Sequence, residues 1–87
     1  MRLRSWIERL RAFPDGACDV TYRGRRWLMR KETRLGGRLI KLYAEELGGA
    51  DFVSLNCYEA GRRPLLKPCE MTEEKVIAFI LGASLRS

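Results

Sequence analysis

Histidine is absent from this sequence of 87 residues, and cysteine is scarce. Without an imidazole, the chain lacks the usual general base that activates a serine or cysteine nucleophile. The three cysteines, Cys18, Cys57 and Cys69, are an odd number and form no Cys-x-x-Cys pair, which argues against a disulfide framework and a closed zinc site. We therefore expect reduced thiols, no bound metal, no cofactor and none of the common hydrolase mechanisms.

Long apolar runs and nucleotide-binding glycine motifs are also missing. No segment approaches the ~18 consecutive apolar residues typical of a membrane helix, and the N-terminal Met1-Arg2-Leu3-Arg4 lacks the apolar run of a secretory signal. The eight glycines form neither a Walker motif nor a GxGxxG motif. We expect a cytoplasmic protein with no membrane contact and no nucleotide site of these types.

The length suits one domain, so we predict that residues 1–87 fold as a single unit. A chain of this size hides only about two-thirds of its surface on folding. This thin margin favours the association of two copies, and a homodimer is therefore one expectation.

Helical periodicity is present at both ends of the chain. Near the N-terminus, Leu3, Ile7 and Leu10 recur at helical spacing, and the helix should end near Ala12 because Pro14 disfavours helical geometry in the residue before it. Near the C-terminus, Thr72 is a typical N-cap for a second helix that runs to about Leu81, with Gly82 as its C-cap and residues 83–87 frayed.

Between the helices the period changes to two, which predicts strands. Residues 18–30 alternate on both sides of Gly24 and indicate a hairpin whose turn is either Arg23-Gly24 or Gly24-Arg25. Residues 38–45 alternate as well, although a helix capped by Gly48 fits the same segment, and alternation favours the strand. Residues 52–58 and 65–67 complete the set, the last confined to an edge or a strand end by Pro68.

The predicted fold is therefore α+β: an antiparallel meander of four or five strands flanked by an N-terminal and a C-terminal helix. Both helices need an apolar surface, so we expect them to cover one face of the sheet and to leave the other face to solvent or a partner. The predicted core contains Leu3, Ile7, Leu10, Val20, Ile40, Leu42, Val76 and Ile80, with Trp6 and Trp27 beside them.

The C-terminal half resembles a group of small bacterial proteins of unassigned function. The matching segments are Ala44-Glu45-Glu46-Leu47-Gly48-Gly49, Asp51-Phe52, Ser54-Leu55-Asn56, Tyr58 and Leu66-Lys67-Pro68-Cys69-Glu70-Met71. Some members of that group carry the label peptide methionine sulfoxide reductase, but Cys18, Cys57 and Cys69 lack the neighbours of the catalytic cysteine in the main reductase families. The resemblance implies a bacterial source and a small fold, and no mechanism.

Cys69 is the best catalytic candidate in the sequence. It lies just before the second predicted helix, where the helix dipole favours a thiolate. Glu70, Glu73 and Glu74 lie nearby and oppose deprotonation, and a lone cysteine after proline is more often an inert residue. A thiol-dependent redox enzyme centred on Cys69 is therefore the alternative hypothesis.

Basic residues are concentrated in the predicted hairpin and its continuation. The chain carries 17 basic and 11 acidic residues, for a net charge of +6, and residues 23–38 hold seven bases against the single acid Glu32. The bases are Arg23, Arg25, Arg26, Arg30, Lys31, Arg34 and Arg38. A basic β-ribbon of this kind favours contact with phosphates.

The competing interpretation is a solvated sheet face, helped by Asp19 opposite Arg30 in one of the two hairpin registers. Because no catalytic constellation is present, we favour a non-enzymatic binding or adaptor module over an enzyme. Its partner would be an anion such as nucleic acid, contacted weakly and without sequence preference.

Overall fold

The structure, a computed structural model, describes residues 5–60 and 63–86. Within these residues the fold class is α+β, as predicted, with six strands in one sheet rather than four or five. The described part of the chain has no helix long and apolar enough to span a membrane. In chain order the elements are α1 (Ser5–Ala12), β1 (Gly16–Tyr22), β2 (Arg25–Arg34), a 3-10 turn (Leu35–Gly37), β3 (Leu39–Glu46), β4 (Phe52–Ala60), β5 (Arg63–Pro68), α2 (Glu73–Gly82) and β6 (Ser84–Leu85).

The sheet has the order β5-β4-β3-β2-β1-β6, and every neighbouring pair is antiparallel. Strands β1 to β5 therefore form the predicted meander. The sixth strand corrects the expectation of a frayed C-terminus, because Leu85 pairs with Val20 and Ala83 is fully buried. Hydrogen bonds to α1 and β1 hold this segment: the Arg9 guanidinium donates to the Ala83 carbonyl, and Arg86 donates through its N–H to the Asp19 carbonyl and through its guanidinium to the Thr21 hydroxyl.

The hairpin of β1 and β2 turns at Arg23-Gly24, since Tyr22 pairs with Arg25. Both turn residues have positive φ, 53° at Arg23 and 74° at Gly24, as the central residues of a type I′ turn require. This register places Ala17, not Asp19, opposite Arg30. Asp19 would pair with Arg30 in the other register, but in the structure it pairs with Leu28.

Residues 39–46 form a strand, as their alternation predicts. Ile40, Leu42 and Ala44 are buried on one face, whereas Lys41 and Tyr43 are exposed on the other. Hydrogen-bonded partners on both sides, β2 and β4, satisfy the backbone of this strand at the centre of the sheet.

Both helices pack on the face of the sheet that carries Trp27, and the predicted core residues are buried there. The exception is Leu3, which lies outside the described residues. Phe79 of α2 contacts Trp27 and Tyr22, with ring centroids 5.2 Å and 5.0 Å apart. Trp27 is buried, whereas Trp6 is half-buried against the same cluster.

Helix α2 begins as predicted and ends one residue later. The Thr72 hydroxyl accepts a hydrogen bond from the Lys75 N–H at 3.1 Å, which is an N-cap. Gly82 is the last helical residue, and Ala83, not Gly82, is the C-cap. A Cβ on Gly82 would lie 2.9 Å from Cε1 of Tyr22, so glycine allows close packing at this position.

Prolines blunt one edge of the sheet. The Cys69 N–H donates to the Ser54 carbonyl, so the odd-numbered residues of β5 direct their backbone N–H groups toward β4. The backbone positions of Pro64, Leu66 and Pro68 therefore point away from β4, toward the open edge of the sheet. Of these three residues, only Leu66 has an N–H to offer an added strand. The other edge is β6, which has only two residues.

Candidate nucleic-acid interface

The face of the sheet opposite the helices is available to a partner, and we call it the open face. Alternation along each strand and the strand register define its members. On strands β2 to β5 they are Arg26, Leu28, Arg30, Glu32, Arg34, Leu39, Lys41, Tyr43, Glu45, Phe52, Ser54, Asn56, Tyr58, Leu65 and Lys67.

A shallow groove of ≈ 650 Å³ runs across the middle of the open face. Its lining includes Arg30, Lys41, Tyr43, Asn56 and Cys69. The register explains this grouping, because Arg30 pairs with Tyr43 across β2 and β3, and Lys41 pairs with Asn56 across β3 and β4. Side chains from distant parts of the sequence therefore line one continuous surface.

Three of the seven bases predicted to contact nucleic acid lie on the open face: Arg26, Arg30 and Arg34. Arg34 donates to the Glu32 carboxylate at 2.7 Å, so its charge is partly compensated. Arg26 and Arg30 are exposed and lie on the face opposite Trp27, as the hairpin pattern predicts.

Three other bases of the predicted set lie elsewhere on the surface. Arg23 lies in the hairpin turn with its guanidinium 5.3 Å from the centroid of the Tyr22 ring. Arg25 is on the helix side of the sheet, 3.5 Å from the Glu46 carboxylate. Arg38 follows the 3-10 turn, and its guanidinium donates to the Leu35 carbonyl at 3.3 Å. These three residues do not extend the open face.

Lys31 does not belong to the basic surface, although the sequence analysis grouped it there. Lys31 is only 4% exposed, and its Nζ donates to the carbonyls of Arg11 at 2.9 Å and Phe13 at 2.5 Å. Burial lowers the pKa of Lys31, an effect that the nearby Asp15 carboxylate partly opposes. Lys31 therefore holds the end of α1 against the sheet and faces away from any partner on the open face.

Several open-face residues on strands β3 to β5 were not predicted from the sequence. These are the bases Lys41 and Lys67 and the aromatic residues Tyr43, Phe52 and Tyr58. Alternation along residues 39–46 already separates Lys41 and Tyr43 from the buried positions. Their closeness to Arg30, however, follows only from the pairing of β2 with β3.

The three cysteines lie on opposite sides of the sheet. Cys69 is exposed at the groove, and its N–H donates to the Ser54 carbonyl at 3.0 Å. Cys18 and Cys57 lie on the helix side, where burial is the main cause that raises the pKa of each thiol. The sheet thus separates Cys69 from both other thiols, and the described residues contain no cluster of acids and cysteines suited to a metal ion.

Comparison of the chain with protein-family models, curated proteins and solved structures finds no match. The resemblance to small bacterial proteins therefore stays a prediction.

Proposed function

We propose that the protein is a non-enzymatic binding module that holds nucleic acid weakly on its open face. The observation that carries this proposal is the grouping of Arg26, Arg30, Lys41 and Lys67 on one sheet face that neither α-helix covers. Arginine and lysine side chains on such a face reach phosphates without reading base edges. The contact is therefore electrostatic and independent of sequence.

The arrangement of acids supports this surface over the rest of the molecule. The cross-sheet row through Arg30 contains Ala17, Tyr43 and Ser54, so its charge is not neutralised by a paired carboxylate. The described part of this face carries three acids: Glu32 is bound to Arg34, whereas Asp19 and Glu45 both pair with Leu28, between the rows of Arg26 and Arg30. Bases still outnumber acids on this face. By contrast, three glutamates lie in or just before the first turn of α2: Glu70, Glu73 and Glu74. The excess of bases favours the open face over the start of α2 as the site of contact with a polyanion.

A fluorescence anisotropy titration tests the proposal, with a labelled 12-nucleotide strand at about 50 mM salt. The test variant Arg26→Gln/Arg30→Gln removes two charges from the open face. The matched control Arg11→Gln/Arg25→Gln removes two charges from the helix side, where both arginines form ion pairs with exposed or half-buried glutamates. We expect the test variant to bind at least about tenfold more weakly than wild type, and the control to stay within about threefold. Equal losses of affinity in the two variants would contradict binding through the open face.

The alternative function is a thiol-dependent redox enzyme centred on Cys69. The observation in its favour is the exposure of this thiol at the groove. A disulfide cycle within the folded chain is opposed by the sheet, which lies between Cys69 and the thiols of Cys18 and Cys57. Such an enzyme would therefore need a resolving thiol from outside the chain.

A further inference from the structure

We propose that the open face binds single-stranded nucleic acid by stacking its bases on Tyr43, Phe52 and Tyr58. This inference rests on the proposed function, and it adds the class of nucleic acid and the groups that select it. Charge alone would attract single strands and duplexes alike, whereas exposed aromatic rings offer a surface that only unpaired bases can use.

Tyr43 and Phe52 form the first stacking position. Their rings lie 6.1 Å apart between centroids with an interplanar angle of 29°, so the two rings present a nearly continuous aromatic surface. The residues remain 45% and 36% exposed even with this contact. Exposed aromatic area of this kind is available to a flat ligand.

Tyr58 forms the second position, on the same face of β4 as Phe52. It is 37% exposed and lies between Leu39 and Leu65 in a cross-sheet row. It lies six positions after Phe52, which corresponds to about 20 Å along an extended strand. Ser54 and Asn56 lie between the two positions and offer hydrogen-bonding groups to the nucleotides that span them.

Bases flank the aromatic rings and supply charge complementarity to the phosphates. Arg30 is the cross-strand partner of Tyr43, and Lys41 lies two residues from Tyr43 on the same strand. Lys67 pairs with Asn56, next to the row that contains Tyr58. A strand whose bases rest on the rings therefore has cations within reach of its backbone at both stacking positions.

The shape of the sheet disfavours a duplex on this face. Six strands at about 4.8 Å spacing make a surface about 24 Å wide, which does not enter a major groove of about 12 Å. A duplex would contact only the tips of the basic side chains, while its bases stay stacked inside the helix. A single strand gains the stacking contacts in addition to the phosphate contacts.

A second copy of the chain is a less favourable occupant. Face-to-face pairing would set two surfaces of like net positive charge against each other, since bases outnumber acids on the open face. The edges of the sheet do not guide such pairing either, because β5 presents two prolines outward and β6 has two residues.

The test compares a 12-nucleotide strand of mixed sequence with the corresponding 12-base-pair duplex, both labelled, at about 50 mM salt. We expect the single strand to bind at least about tenfold more tightly than the duplex. Tyr43→Leu should weaken single-strand binding about tenfold, the loss of roughly one base–aromatic stack, and leave duplex binding unchanged. Tyr43→Phe keeps the ring and should bind like wild type.

Equal affinity for the two nucleic acids, with no effect of Tyr43→Leu on either, would overturn the stacking inference. The proposed function would survive that result, because it is tested separately by the arginine variants. A dimer that dissociates in Tyr43→Leu and whose formation excludes the oligonucleotide would also overturn it, since the face would then belong to a second copy.

Photo-crosslinking provides a test that does not depend on how well the variants fold. A single strand that carries 5-iodouracil is bound to the wild-type protein, irradiated, and the attachment site is located by mass spectrometry. We expect attachment at Tyr43, Phe52 or Tyr58. Attachment confined to Trp6 or Tyr22 on the helix side would contradict the proposal.

Discussion

Arg30 and Lys31 are neighbours in the chain, yet they lie on opposite faces of the sheet and in opposite environments. Arg30 is exposed at the groove beside Tyr43, whereas the Nζ of Lys31 is buried against the carbonyls of Arg11 and Phe13. The two adjacent charges therefore have different roles. Arg30 belongs to the candidate interface, whereas Lys31 binds the C-terminal end of α1 to the sheet.

Replacement of Lys31 by methionine should destabilise the fold. The change leaves two backbone carbonyls without their charged donor, and hydrogen bonds to charged groups contribute about 1.5–3 kcal/mol. We expect the free energy of unfolding at pH 7 to fall by about 1–3 kcal/mol in urea denaturation. The matched control Arg30→Met alters the exposed neighbour and should stay within about 0.5 kcal/mol of wild type. Equal effects of the two substitutions would show that Lys31 has no anchoring role.

The difference between these two residues shows what sequence alone reveals here. The predicted alternation ends at Arg30, but Trp27, Met29 and Lys31 share one phase of a period of two, so extending it by one residue puts Lys31 on the buried side. The charge of Lys31 favours an exposed position. The contacts that keep it buried come from the end of α1 and from Phe13 just after it, which is 18 residues from Lys31 along the chain. Side-chain partners at that separation are not encoded in local periodicity.

The strands illustrate the same limit. Alternation was enough to predict β3, because Ile40, Leu42 and Ala44 share a phase. Strand β6 has two residues, too few for a period, and it forms because Arg9 and Asp19 hold the backbone around it. Likewise, the Tyr43–Phe52 contact depends on the register of β3 with β4 and is not visible in either segment alone.

Alanine at position 82 should destabilise the protein, although alanine normally strengthens a helix by about 1 kcal/mol over glycine. The added Cβ would approach Cε1 of Tyr22 to 2.9 Å, and Tyr22 is held in place by its contacts with Trp27 and Phe79. We expect a loss of about 1–3 kcal/mol in thermal or urea denaturation. In a Tyr22→Leu background the same substitution should become neutral or stabilising. A loss of stability that persists in that background would show that Tyr22 is not the residue with which the added Cβ clashes.

The ion pair of Asp51 with Lys75 should make a small, pH-dependent contribution to stability. The hydrogen bond from Lys75 Nζ at 2.6 Å is the main cause that lowers the pKa of Asp51, with the Phe52 N–H as a further donor. A native pKa below the unfolded value stabilises the fold above about pH 4, and this contribution is lost as the pH falls through the lowered pKa.

We therefore expect Asp51→Asn to reduce stability by less than about 1 kcal/mol at pH 7, since the pair is exposed and screened by salt. The difference from wild type should shrink as the pH falls below about 4, through the lowered pKa of Asp51. Asp19→Asn, which changes an exposed acid without an ion pair among the described residues, serves as the control. A difference that is constant from pH 7 to pH 2 would contradict the role of the Asp51 charge.

Iodoacetamide labelling separates the binding module from the thiol enzyme. Cys69 should react in the folded protein, whereas Cys57, which is buried, and Cys18, which is half-buried, should be protected until urea unfolds the chain. We expect Cys69 to react at pH 7 no faster than a thiol in an unstructured peptide. A much faster reaction, with a thiolate well populated at that pH, would support the enzyme hypothesis.

The salt dependence of binding tests the role of the open face most directly. Four open-face bases, Arg26, Arg30, Lys41 and Lys67, are free of ion pairs among the described residues, so about four phosphates should be neutralised. On a single strand the slope of log K against log salt should then be near −2.8, and Arg26→Gln/Arg30→Gln should flatten it by about 1.4. Arg11→Gln/Arg25→Gln should leave the slope unchanged. Equal flattening by both pairs of substitutions, or no association at about 50 mM salt and tens of micromolar protein, would contradict the account.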